Sequence, residues 1–185
     1  MQKNILWAGI EYDSLENCMI KSKESGVEIN SVIIGSYKHE IYRVSYLIKT
    51  NEHWATVFFE LEVQFSDRKL MYSYNCDREG NWTKNGSAID EFKGCIDIDI
   101  SLTPFTNSLP INRLKLEINE RRQIKVLYID ILNQEIKPVL QNYTRISDVE
   151  YKFENVPNDF EAIISIDEDG FVVNYPNLFV RQEIS

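Results

Sequence analysis

Basic side chains are in short supply. Against 29 aspartates and glutamates the chain sets 20 lysines and arginines, a formal net charge of −9 over 185 residues. Proteins that grip a phosphate backbone carry a basic face, so nucleic acid is not an expected partner. Docking on an anionic bilayer through basic residues is equally unexpected. Histidine is scarcer still. His39 and His53 have no cysteine or histidine companion, so zinc-ligand spacing is absent. Cysteine is limited to Cys18, Cys76 and Cys95, with no C-x-x-C. An odd number of scattered cysteines reads as free buried thiols in a reducing compartment, here the cytoplasm. There is no G-x-S-x-G and no glycine-rich phosphate loop. No run approaches the ~18 apolar residues of a spanning helix. Met1-Gln2-Lys3-Asn4-Ile5-Leu6-Trp7 has neither the apolar segment nor the cleavage site of a signal peptide. The expectation is therefore no metal, no cofactor and no stable membrane insertion. Oligomeric state is not legible.

Glycine (7) and proline (5) are also few, and 43% of residues are hydrophobic, which indicates an ordered globular chain. Residues 1–185 suit one domain, long enough to bury roughly 70% of its unfolded surface without a disulfide.

What is present is strand signal. The segments 29–37, 41–49, 54–65, 69–75, 123–132, 150–154 and 161–167 are rich in β-branched and aromatic residues. Tyr42, Val44, Tyr46 and Ile48 alternate with Arg43, Ser45, Leu47 and Lys49; Leu70, Tyr72 and Tyr74 alternate with Met71, Ser73 and Asn75. Turn residues separate these runs, which suits an antiparallel meander. Helix signal is thin. Ser87 to Gly94 offers a capping serine, an acid three residues on and a glycine stop, and reads as one or two helical turns; another turn is expected near Ser108 to Arg113.

A weak internal repeat is visible. Ile41-x-Arg43-Val44-x-Tyr46-x-Ile48 is similar to Ile111-x-Arg113-Leu114-x-Leu116-x-Ile118, about 70 residues on. Asp77-x-Glu79-Gly80-x-Trp82 is similar to Asp167-x-Asp169-Gly170-x-Val172, about 90 residues on, which places an insertion around 133–153. The expected fold is thus mainly β, a β-rich α+β arrangement with few short helices. Antiparallel sheets in two similar halves, approximately 1–95 and 96–185, would curve like half-barrels around a cavity.

The most unusual stretch runs from Gly94 to Leu114. It opens as a strand in which Ile96, Ile98 and Ile100 alternate with Asp97, Asp99 and Ser101. Thr103-Pro104 and Leu109-Pro110 then exclude an ordinary continuous strand. This run resembles the signature of a bacterial family of putative glycolipid-binding proteins. Cys95, Asp97, Asp99, Thr103, Pro104, Phe105, Thr106, Asn107, Leu109, Pro110, Ile111, Arg113 and Leu114 match it, and Ile98, Ser108 and Asn112 depart from it. Further similarity lies in Trp7-x-Gly9-x-Glu11, Ser14-Leu15-Glu16, Tyr42-Arg43, Trp54, Asp77-x-x-Gly80-x-Trp82, Gln141-x-Tyr143, Asp169-Gly170 and Tyr175-Pro176. The resemblance implies binding of a lipid or glycolipid inside the cell, as a carrier and without catalysis.

Candidate site residues follow from these patterns. Asp97 and Asp99 could bond backbone donors of the following loop, pair with arginines, accept from sugar hydroxyls or hold a hard cation. Arg43 and Arg113 need partners if they sit on an inner wall, Glu11 or Asp99 for the first and Asp97 for the second; either could instead read a head group. Thr103, Thr106 and Asn107 either contact the head group or cap the proline-bent loop. Trp82, Tyr143 and Tyr175 belong to an aromatic stock that serves as sheet core or stacks on sugars, with Trp82 placed at a wall or rim by the turn before it. Two rival readings remain: an enzyme on a glycolipid or sugar, using Asp97, Asp99 and Glu11 as acid and base, and a protein-interaction module without a small ligand. Cys95 with a distant histidine is a formal nucleophile candidate but has no activating neighbour.

Overall fold

In the computed structural model, which describes residues 2–182, the chain folds by local pairing. Strands β1 (Gln2–Gly9), β2 (Ser14–Lys23), β3 (Gly26–Tyr37), β4 (Glu40–Thr50), β5 (Thr56–Gln64), β6 (Lys69–Cys76), β7 (Trp82–Lys84) and β8 (Ser87–Ala88) form an antiparallel meander, each paired with the next. The second part comprises β9 (Asp97–Ile100), helix α1 (Ser108–Leu114), β10 (Arg121–Asp130), β11 (Glu135–Arg145), β12 (Glu150–Val156), β13 (Glu161–Ile166), β14 (Val172–Tyr175) and β15 (Phe179–Arg181). The two runs meet where β15 pairs with β1, through Trp7–Arg181, Ala8–Val180 and Gly9–Phe179. The result is one 15-stranded sheet in the order 8-7-6-5-4-3-2-1-15-14-13-12-11-10-9, not closed into a barrel.

Among the described residues all pairings are antiparallel except one. β9 runs parallel to β10, in register from Asp97–Val126 to Ile100–Ile129. Parallel neighbours cannot be joined by a tight turn; they need a crossover of a dozen residues or more. Residues 101–120 are that crossover, and they explain why the expected strand breaks at Thr103-Pro104. The crossover does not run over the surface. A 3-10 turn at Phe105–Asn107 leads into α1, and Leu102, Phe105 and Leu109 are buried to 1% exposure or less. They join a core with Trp7, Ile20, Ile29, Ile48, Phe59, Ile98 and Phe171, whereas Ile111 joins a second core with Val126, Tyr143, Phe153, Ile164 and Tyr175. The interior is filled by the chain's own crossover.

The expected strands at 29–37, 41–49, 54–65, 69–75, 123–132, 150–154 and 161–167 all coincide with observed ones. The face assignment also holds: Tyr42, Val44, Tyr46 and Ile48 are buried and Arg43 is exposed. The helix expected over Ser87 to Gly94 is a correction. Ser87 and Ala88 pair with Lys84 and Thr83 as a hairpin, and only Asp90–Phe92 makes a 3-10 turn. Asn85 and Gly86, both at positive φ (52° and 79°), form the tight turn whose twist matches a hairpin. The turn expected near Ser108 to Arg113 is α1. Similarity between Ile41–Ile48 and Ile111–Ile118 does not join like elements, since the first lies on β4 and the second begins in α1. The turns at Asp77 and Asp167 do share a geometry. Each aspartate Oδ1 accepts from the backbone two and four residues on, at 2.8 and 2.9 Å for Asp77 and 3.0 and 2.9 Å for Asp167.

Candidate functional site

A cleft of ≈ 220 Å³ opens at the end of β9, where the crossover begins. Its floor comes from Asp99, Ile100, Ser101, Thr103 and Asn107. One wall is the turn after β1, with Glu11 and Tyr12; the other is built from Tyr128 of β10, Phe153 and Asn155 of β12, Phe160, Tyr175 of β14 and Phe179 of β15. Tyr128, Phe153, Tyr175 and Phe179 project from strands and Tyr12 and Phe160 from the adjoining turns, and five of these rings touch in sequence. Ring centroids lie 6.4 Å apart for Tyr12–Phe179, 6.3 Å for Phe179–Tyr175, 6.2 Å for Tyr175–Phe153 and 6.1 Å for Phe153–Phe160. Such a wall offers apolar ring faces with hydroxyls at their edges.

Asp99 is the charged group of the floor. Its Oδ2 accepts from Gln141 Nε2 at 2.6 Å and its Oδ1 from Thr106 Oγ1 at 3.2 Å. Burial raises its pKa above the usual carboxyl value, and these two bonds work against that rise. Thr106 Oγ1 also accepts from the Ile100 backbone N–H at 3.2 Å, and Thr103 Oγ1 accepts from Phe105 N–H at 3.0 Å. Both threonines therefore shape the bend after β9. Asn107 lines the cleft and donates from Nδ2 to the Tyr143 hydroxyl at 2.9 Å.

Glu11, Asp99, Thr103, Asn107 and Tyr175, all expected site residues, thus converge on the cleft. The other six lie elsewhere. Tyr143 and Thr106 sit directly behind the lining. Asp97 is fully buried and faces Arg113, which bonds it with two nitrogens, Nε to Oδ1 at 3.0 Å and Nη2 to Oδ2 at 2.6 Å. The expected Arg113–Asp97 partnership is present, and α1 packs its arginine over the Asp97 end of β9. Arg43 sits on the outer face of β4, exposed, so the expected inner-wall pairing with Glu11 or Asp99 does not form. Trp82 is 1% exposed, donates to the Cys95 carbonyl at 2.7 Å and packs 5.6 Å from Phe59. It belongs to the core of the first half rather than to a wall or rim, because the Asp77–Asn81 turn folds it inward.

Sequence reasoning missed Tyr12, Phe153, Phe160 and Phe179. The signal was present only as single aromatics in strand-like context, and it takes the β1–β15 seam to gather them. Burial pushes the Cys95 thiol up to about 11 and Cys76 to about 12, which leaves neither as a ready nucleophile. Among the described residues no three His, Cys, Asp or Glu side chains gather as a metal site, and no helix is long and apolar enough to cross a membrane.

The crystal structure of a DUF1089 family protein from Pseudomonas aeruginosa, at 1.80 Å resolution, is similar to this chain. It is 30% identical, with a TM-score of 0.82 over 91% of this chain and 92% of that one. No curated protein matches. The family described as "Putative glycolipid-binding" matches residues 4–181, and the chain belongs to that family.

Proposed function

We propose that this protein binds a glycolipid without transforming it, holding the sugar in the cleft beside Asp99. The observation that carries this reading is the pairing of an aromatic wall with a carboxylate floor. Sugar rings present C–H faces that pack on aromatic rings and hydroxyls that bond acceptors at their edges. At ≈ 220 Å³ the cleft is smaller than the ~300–1,000 Å³ of sites that engulf drug-sized ligands, and so suits one ring-sized head group.

The acyl part has an adjacent path. A groove of ≈ 340 Å³ shares Tyr128 and Asn155 with the cleft and continues over Val139, Leu140, Val156 and Pro157, with Lys137, Gln141 and Asp159 also in its lining. Each methylene buried there contributes ~0.8 kcal/mol. The packed crossover leaves the region between the halves to protein side chains, so the lipid is held along a surface and not swallowed. Of the acid/base candidates, Asp97 is committed to Arg113 behind the cleft, which breaks up the Asp97–Asp99 pair on β9 and leaves Asp99 and Glu11 as the carboxylates of the lining. Native mass spectrometry of protein purified from its own cells, with an organic extract of the same sample, tests the reading. A bound mass that fragments to a sugar and acyl chains is expected. A clean unliganded mass and a lipid-free extract would remove the support for a carrier.

A further inference from the structure

The geometry points to a head group that is hydroxylated and carries no negative charge: we propose that the cleft selects neutral or amine-bearing sugars and rejects anionic ones. This deepens the sugar-binding reading and rests on it.

The lining contains two carboxylates, Asp99 on the floor and Glu11 at the mouth, and no lysine, arginine or histidine. The two arginines that the sequence offered for reading an anion are elsewhere. Arg113 is held in a bidentate pair by buried Asp97, and Arg43 is exposed on the outer face of β4. A phosphate or carboxylate head group would enter a half-enclosed site with no cation to meet it and a carboxylate already in place. Like charges brought together at a desolvated contact oppose binding, and this is the usual way a site excludes a wrong partner.

The neutral groups of the lining supply the positive half of the selection. Among the described residues, the tyrosine hydroxyls bonded within the protein are those of Tyr42, Tyr46 and Tyr143. Those of the cleft tyrosines Tyr12, Tyr128 and Tyr175 have no such partner. Burial raises the pKa of all three phenols, that of Tyr12 to about 12, and the charge of Asp99 adds to the effect on Tyr128 and Tyr175. All three remain protonated at neutral pH. A phenol both donates and accepts, whereas a carboxylate only accepts. Three donor–acceptor groups around one acceptor match a ring of hydroxyls, each of which can donate once and accept. An ammonium on the sugar adds donors toward Asp99 and Glu11. A carboxylate or phosphate dianion adds none.

The test is a calorimetric titration at pH 7.5 with three single-chain probes below their micelle concentrations: n-octyl glucoside, its 2-amino-2-deoxy counterpart and n-octyl glucuronide. The glucoside and the amino sugar are expected to bind, and the glucuronide at least tenfold more weakly at low salt. That gap is expected to narrow in 0.5 M salt, in Glu11→Gln and in Asp99→Asn; Glu11 is exposed, so its variant keeps the test available if Asp99→Asn fails to fold. Glucuronide binding as tight as that of the glucoside, or tighter, would overturn the charge selection and leave the sugar reading standing. No heat from any of the three probes, with the protein shown folded by circular dichroism, would overturn the sugar reading itself.

Discussion

Glu16 is 2% exposed and faces the interior from β2. Ser31 and Tyr46 each donate a hydroxyl to its Oε1 at 2.6 Å, and Tyr46 lies 3.3 Å from Thr103 Oγ1 on the crossover. Oε2 has no partner among the described residues. Burial pushes the Glu16 carboxyl up to about 7, outweighing the hydroxyl bonds that lower it. A carboxyl with a raised folded pKa holds its proton more tightly when folded. Its contribution to stability is therefore complete below about 4.5, its ordinary value, and is lost as pH rises through about 7. A displacement of that size corresponds to ~3 kcal/mol. Glu16→Gln keeps the acceptor and removes the charge. It should melt higher than the parent at pH 8 and match it near pH 4, when both are scanned by circular dichroism across that range. Equal melting-temperature differences at both pH values would show that folding leaves the Glu16 pKa at its ordinary value. The buried pair Asp97–Arg113 behaves differently, because removing one partner strands the other. Arg113→Ala is expected to lower unfolding stability in urea by ~3–5 kcal/mol, and an added Asp97→Asn to restore much of it. Loss of sugar binding with unchanged stability would instead place Arg113 among the contacts to the ligand.

At the scale of elements, the crossover is clamped by the turn at Gly170. That glycine sits at φ +77°, and a Cβ there would come within 2.6 Å of Asn112 Nδ2 on α1. Asn112 is not free to swing away, because Nδ2 donates to the Ser108 carbonyl at 3.0 Å and lies 3.4 Å from the Gly170 carbonyl. Gly86 has nearly the same φ, +79°, but nothing within 4 Å of its virtual Cβ. Gly86→Ala should therefore report the left-handed backbone alone, ~1–2 kcal/mol, and Gly170→Ala that amount plus the cost of displacing α1. Equal losses in thermal melts of the two variants would mean that the contact with α1 carries no energy. The same elements show why the sequence was legible in places. Strands with regular alternation, such as β4, announced both their existence and their buried face. β2 did not, because it puts Leu15 outside and Glu16 inside, which inverts the usual polarity. β11 was obscured by Pro138, which lies before its pairing with β12 begins at Leu140, so it occupies a stretch where β11 is an edge. Of the candidate site, the floor was visible because Asp99, Thr103 and Asn107 fall in one unusual run. Of the aromatic wall only Tyr175 was, because the other rings come from β10, β12, β15, the turn after β1 and the turn before β13, and no sequence pattern links segments so far apart.

For the whole molecule, the decisive feature is that the core of the first half is completed by the second, which sends Ile98, Leu102, Phe105, Leu109, Leu127 and Phe171 into it, whereas the other cluster is drawn from residues 111–179. The crossover leaves β9, gives Leu102, Phe105 and Leu109 to one cluster and Ile111 to the other, and then re-enters the sheet as β10. The seam adds a second tie. Trp7 on β1 donates its indole N–H to the Val172 carbonyl on β14 at 2.9 Å, and Trp54 lies 6.1 Å from Phe171 between ring centroids. Chains whose apolar surfaces are shared in this way unfold as one unit, because opening one half exposes the core of the other. All three tryptophans, Trp7, Trp54 and Trp82, precede the crossover, and Trp7 and Trp54 touch Val172 and Phe171, so indole fluorescence reports the first half and its contacts with the second, whereas far-ultraviolet circular dichroism reports strands throughout. Urea titrations followed by the two signals should give coincident midpoints and equal slopes. A fluorescence transition separated from the dichroism transition would show that the halves fold independently, and the cleft, whose walls come from both ends of the chain, would then open before the protein unfolds. Coincidence instead means that ligand held at Asp99 stabilises the entire sheet. Saturating glycoside should then raise both midpoints together, by the ~2.7 kcal/mol that mass action allows at a hundredfold excess over Kd.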